Sequence, residues 1–161
     1  MDSMETDKKD KLLFFKISNL IEGIEDEKED NASLDFFEQV KHAPYKEAMF
    51  SFHSKMNYLN SYCTAGRLRN YLVYVGGREC DNKDIEKSLN KLFKENPDTW
   101  EKIKEWHIKF ETIHPFGDGN GRVGRFLMLM QAEKHGVDIP EMFFYLDNFK
   151  KNRQEYYSWF K

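Results

Sequence analysis

Apolar residues recur along this chain mostly at helical spacing, and the pattern predicts a protein built from helices. Leu13, Ile17, Leu20 and Ile24 form one stripe, with Gly23 placed to end that helix. The charged stretch before it, residues 1–11, reads as a tail, and the acidic stretch at residues 25–31 reads as a solvated loop. Met49, Phe52, Met56 and Leu59 give a second stripe that closes near Thr64, Ala65 and Gly66. Ile85, Leu89 and Phe93 mark a helix that Asp81 or Asn82 can cap and Pro97 ends. Trp100, Ile103, His107, Phe110 and Ile113 make a stripe running into His114. Another helix is expected from near Gly119 to His135, stopped by Gly136, and Pro140 is placed near the start of a last one carrying Phe143, Leu146, Phe149, Tyr156 and Phe160.

One segment departs from the helical period. Tyr71, Leu72, Val73, Tyr74 and Val75 are mostly β-branched or aromatic, and a Gly76-Gly77 turn pair follows them. They predict a short hairpin, and a lone hairpin must lean on a larger body to persist. The expected fold is therefore a compact all-α domain with a small β-hairpin flap, one domain over residues 12–161.

Composition narrows the class further. The chain has 161 residues, of which 40% are hydrophobic and 16% aromatic, enough for a core and too apolar for a disordered segment. Charged residues reach 33%, yet the formal net charge is only −3, with Lys interleaved with Glu and Asp. A nucleic-acid partner is not expected, because that requires a basic excess on one face. Cys63 and Cys80 are the only cysteines, and neither belongs to a CxxC or zinc spacing, so reduced thiols are expected. No apolar run approaches a membrane span and residues 1–11 lack the apolar region of a secretory signal. A soluble, cytoplasmic protein is expected. His53, His107 and His135 have no ligand partner at a recognised spacing and read as structural. Residues 156–160 read as core packing or as an oligomer contact.

Chemistry concentrates at residues 114–125, His-Pro-Phe-Gly-Asp-Gly-Asn-Gly-Arg-Val-Gly-Arg. Gly117, Gly119 and Gly121 strip side chains from a turn, letting backbone approach a ligand. The turn feeds a helix N-terminus, where N–H groups and the dipole favour an anion. Arg122 and Arg125 are neighbours on that helix and suit phosphate oxygens. Asp118 supplies a hard oxygen ligand of the kind Mg²⁺ takes. His114 can accept a proton near neutral pH. Together these predict phosphoryl-group chemistry. Gly119 to Gly124 also fits G-x-G-x-x-G, but a helix rather than a strand precedes it, which excludes the dinucleotide fingerprint. No Gly-Lys-Ser/Thr is present for a Walker loop.

The segment resembles the Fic motif, His-x-Phe-x-(Asp/Glu)-Gly-Asn-Gly-Arg-x-x-Arg, at every specified position. Phe110-Glu111-Thr112-Ile113, Ala65-Gly66-Arg67-Leu68-Arg69 and Asn152-Arg153 with Tyr156-Tyr157 extend the likeness to most of the chain. The resemblance implies an enzyme that moves AMP from ATP to a Ser, Thr or Tyr hydroxyl of a target protein or of itself. His114 would be the base and Asp118 the Mg²⁺ ligand. Phe116, Gly119, Asn120, Gly121, Arg122 and Arg125 would form the nucleotide site, with Asn120 and the Gly119–Gly121 backbone on the α- and β-phosphates. Arg122 would contact the β-phosphate and Arg125 the γ-phosphate. Kinases of the Doc type lack the second arginine, which this chain keeps. Val73, Tyr74 and Val75 would be the flap that docks the target by strand addition. Ser18-Asn-Leu-Ile-Glu22-Gly23 is similar to the family's inhibitory-helix signature, which the resemblance places over about residues 12–23. In relatives with that helix the glutamate pairs with the second arginine, here Glu22 with Arg125. Removal of AMP through the same site, and nucleotide binding without turnover, are the alternatives.

Overall fold

The computed structural model describes residues 3–161. The elements run α1 (Ser3–Ile21), α2 (Glu27–Val40), α3 (Tyr45–Lys55), β1 (Val73–Val75), β2 (Arg78–Cys80), α4 (Ile85–Leu92), α5 (Trp100–Ile113), α6 (Asn120–His135), a 3-10 turn (Glu141–Phe143) and α7 (Phe149–Ser158). The fold is all-α with one two-stranded antiparallel hairpin. The chain divides into two compact units, one formed by residues up to Lys41 together with Asp138–Lys161, the other by His42–Val137.

The first unit holds α1, α2 and α7. Its core is aromatic: Phe14 meets Phe143 at 5.9 Å between ring centroids, Phe15 meets Phe37 at 5.8 Å, and Phe143 meets Tyr156 at 6.0 Å. Asn19 donates to the Asp30 carboxylate at 2.7 Å, a buried polar link from α1 to α2. Three expectations change here. The charged segment read as a tail is helical from Ser3, since its Lys, Asp and Glu residues are compatible with a helix and Asp7 pairs with Lys11 one turn on at 3.0 Å. Residues 27–31, read as a solvated loop, are the first turns of α2. Asp26 caps that helix by accepting from Lys28 N and Glu29 N, and Glu27, Glu29 and Asp30 sit at the positive end of its dipole. Pro140 precedes only the 3-10 turn, and α7 begins at Phe149.

α1 stops where Gly23 predicts. Gly23 adopts φ +75°, its N–H donates to the Leu20 carbonyl at 2.9 Å, and Ile24 N–H reaches back to Asn19 at 3.0 Å. These two bonds make a Schellman cap. From α7, Arg153 Nε and the Tyr157 hydroxyl also donate to the Ile21 carbonyl. Tyr156 is a core residue at 2% exposure, whereas Tyr157 and Phe160 are exposed.

The second unit is built around α6, which is buried on nearly all sides, its apolar residues 126–130 together with the polar Asn120, Arg122, Arg125 and Gln131. α5 packs along it with His107 and Glu111 facing Gly124, and α3 adds Phe52, whose ring stacks on Phe126 at 4.1 Å. Trp106 is buried with its indole N–H satisfied by the Leu92 carbonyl at 3.1 Å. The hairpin pairs Val73 with Cys80 and Val75 with Arg78. Gly76 and Gly77 both take positive φ, +56° and +80°, as a turn matching the strand twist demands. α3 is shorter than its stripe predicts. It ends at Lys55, Met56 is extended, and Tyr58 takes φ +62°. Side chains from the motif take the backbone groups beyond it, as described next.

Candidate functional site

Every residue of the 114–125 motif lies in the second unit. α5 ends at Ile113, and His114 turns the chain out of the helix with φ +52°, its N–H still bonded to the Phe110 carbonyl at 3.0 Å. Gly119 then enters α6 with φ +84° and no side chain caps that helix. An added Cβ at Gly119 would lie 2.9 Å from Met56 Cε and 3.0 Å from Leu59 Cδ2, flexible side-chain ends that can shift, so it is the left-handed backbone that favours glycine here. Asn120 staples the turn: its Oδ1 accepts from Phe116 N at 2.9 Å and its Nδ2 donates to Phe116 O at 2.8 Å. The turn thus uses the Asn120 Oδ1 and one of its two Nδ2 hydrogens, and the backbone N–H groups at the tip of α6 have no partner within the helix. Phe116, expected among nucleotide-binding residues, packs inside the second unit. Its ring is fully buried and stacks on His53 at 3.8 Å between centroids.

The charged groups are placed as follows. Arg122 and Arg125 are one turn apart on α6 and buried, at 5% and 1% exposure. Two nitrogens of Arg122 donate to the Asn57 and Tyr58 carbonyls at 2.8 and 3.3 Å. The left-handed Tyr58 backbone accompanies these two consecutive carbonyl contacts, just beyond the end of α3. Asp118 accepts from Asn60 N at 2.8 Å and from Gly119 N at 2.9 Å, one bond to each carboxylate oxygen. Each oxygen keeps a further lone pair, so the donor set fits a hard cation that takes its remaining ligands from phosphate and water. Among the described residues no group of three or more His, Cys, Asp or Glu could cage a metal by itself.

His114 is half-buried, with its Nδ1 out of solvent. Burial first, and then the Arg69 guanidinium, push its pKa down from 6.5 to about 4, with the Glu111 carbonyl opposing. The imidazole is thus neutral at pH 7 and able to take a proton. His107, fully buried beside Arg125, is pushed down to about 3, and burial also lowers His53. Between about 4 and 6.5 the unfolded chain binds protons at His107 and His114 that the folded chain refuses, so stability rises with pH across this window. The unfolding midpoint in a thermal scan should fall as pH is lowered from 6.5 to 5. A midpoint constant over that range would contradict the buried, neutral state of these rings.

Sequence reasoning missed two residues that hold the site together. His53, read only as structural, accepts from Gly66 N–H at Nδ1 (2.8 Å), which puts its proton on Nε2, and Nε2 donates to the Asp118 carbonyl at 3.0 Å. Arg69 donates to the His114 carbonyl at 2.7 Å. His53 lies 65 positions from Asp118 and Arg69 lies 45 from His114, so no local pattern announces either pairing. The expected flap residues Val73, Tyr74 and Val75 form β1, and Tyr74 is 69% exposed. In the other unit, Ser18 is buried on α1, and Glu22 is exposed on the turn that leaves it.

Residues 14–132 match the Fic/DOC family model. The chain belongs to the Fic/DOC family. Solved Fic structures share its fold. A Fic domain containing signaling protein from Bacteroides thetaiotaomicron superposes with a TM-score of 0.70 at 16% identity, over 96% of this chain and 72% of that one. A Fic family protein from Desulfovibrio desulfuricans gives 0.65 at 17% identity, over 94% of this chain and 56% of that one, so this chain spans little more than half of its length. No curated protein matches. Among the described residues no helix is long and apolar enough to cross a membrane.

Proposed function

We propose that this Fic/DOC chain is a protein adenylyltransferase that moves AMP from ATP to a hydroxyl side chain of a target protein. The observation that supports it is one juxtaposition: an uncapped helix tip, two buried arginines one turn behind it, and a neutral histidine at the end of the preceding helix. The backbone N–H groups at the start of α6 and the Arg122 and Arg125 guanidinium groups bind the triphosphate. Mg²⁺, held by Asp118, would neutralise phosphate charge. The target hydroxyl oxygen attacks the α-phosphorus, the bond to the bridging oxygen breaks, and pyrophosphate leaves. His114 Nδ1 is buried, so Nε2 is the nitrogen that takes the hydroxyl proton. Positioning and charge stabilisation supply most of the rate.

The Ser18–Glu22 signature gives the reading its regulatory half: Glu22 restrains transfer in the isolated protein. In the test, wild type and Glu22→Gly are incubated with Mg²⁺, α-labelled ATP and soluble lysate protein. Label on protein should rise at least tenfold in the variant. Equal incorporation would remove the inhibitory role, and no incorporation by either protein would remove the transferase reading.

A further inference from the structure

Arg69 lies outside the motif, yet its contacts converge on it. Its backbone N–H donates to the Pro115 carbonyl at 3.0 Å, Nε to His114 at 2.7 Å and Nη2 to Ile113 at 3.3 Å, so one residue engages three consecutive carbonyls around the base. The remaining contacts go to the hairpin: Nη1 donates to the Tyr71 carbonyl at 2.8 Å, just ahead of β1, and to the Cys80 carbonyl at 3.1 Å, at the end of β2. Arg69 is 5% exposed, and no carboxylate forms an ion pair with it among the described residues. Four side-chain bonds to carbonyls spread around a plane need the guanidinium fork; a lysine ammonium offers three donors on a single atom. Arg78 adds a second tether from β2, donating to the Thr112 carbonyl at 3.3 Å.

These bonds also bear on conformation. His114 sits in the left-handed region at φ +52°, which is unfavourable for a residue bearing a Cβ, and such a state persists only where its surroundings hold it. Arg69 grips the carbonyl on each side of that residue and its own.

We propose that Arg69 is a positioning residue for the transfer: it fixes the left-handed backbone that aims His114 and ties both ends of the hairpin to the same three carbonyls, so that base and docking edge move as one piece. This rests on the transferase reading above and adds to it a residue that neither touches nucleotide nor belongs to the motif.

The test uses Arg69→Lys and Arg69→Gln in the Glu22→Gly protein, with soluble lysate protein as acceptor. At saturating ATP, kcat should fall about tenfold or more and the half-saturating acceptor concentration should rise, while KM for ATP stays within twofold. A histidine NMR signal assigned to His114 by its loss in His114→Ala should shift, and amides of residues 71–80 should exchange faster with solvent. A folded variant with an unmoved His114 signal, unchanged flap exchange and unchanged KM values would reduce Arg69 to a packing residue and overturn the proposal. If both variants unfold, the unsubstituted protein decides: the Arg69 Nε–H should be strongly protected from exchange, and exchange at the rate of a free guanidinium overturns the inference. If the parent transfers no AMP, the enzymatic reading fails by itself, while the NMR signal and the exchange data still decide the positioning role.

Discussion

Replacing His114 with alanine should lower AMP transfer by about 10²–10⁴-fold while leaving ATP affinity within a few-fold. The ring is neutral at pH 7, because burial and the Arg69 guanidinium push its pKa down to about 4, so it is a proton acceptor rather than a cation. It cannot serve as a phosphate-binding charge in that state, and its loss should therefore fall on the chemical step. In the proposed reading the triphosphate is held by other groups, the α6 tip and the two buried arginines, and these lie on a different element from the imidazole. Calorimetry with ATP and labelled-AMP incorporation, both in the Glu22→Gly protein, separate the two effects. Loss of ATP binding in parallel with transfer would assign His114 to nucleotide binding, and transfer within tenfold of the parent would deny it the role of base.

The second large effect is on stability. Phe116→Ala should cost about 3–5 kcal/mol, the range for deleting a fully buried aromatic ring. Its ring is 0% exposed, stacks on His53 at 3.8 Å and meets Phe50 edge-on at 6.0 Å. His53 in turn bonds the Asp118 carbonyl, so the cavity would open directly beneath the motif loop. The unfolding midpoint should drop by about 10 °C for a chain of this size. Urea titration gives the free energy. A change below about 1 kcal/mol, with impaired ATP binding in a stable protein, would return Phe116 to the nucleotide site.

Much of this structure is legible in the residues because the signals are local. Gly136 and the stripe from Trp100 to Ile113 set the ends of α6 and α5 to within a residue, and the Gly76-Gly77 pair fixes the hairpin turn by its positive φ values. The motif is local too: its glycines, arginines and histidine follow one another along a single turn and helix. What escapes is carried by partners far apart in sequence. α3 stops at Lys55, and Arg122 takes the carbonyls of Asn57 and Tyr58 beyond its end, a pairing across about 65 positions that no stripe encodes. The acidic start of α2 looks like solvated loop by charge density, yet Asp26 as a cap and carboxylates at the helix dipole are what begin the helix. Asn120 fits a phosphate ligand by composition, and only the folded turn shows its amide closed upon Phe116.

The most direct test is mass spectrometry of soluble lysate protein treated with Glu22→Gly enzyme, ATP and Mg²⁺. Peptides should carry one AMP on a Ser, Thr or Tyr hydroxyl, and the adducts should vanish when His114→Ala is added to the same protein. Phosphate in place of AMP, or unmodified peptides from an enzyme shown to bind ATP, would contradict adenylyl transfer by this site.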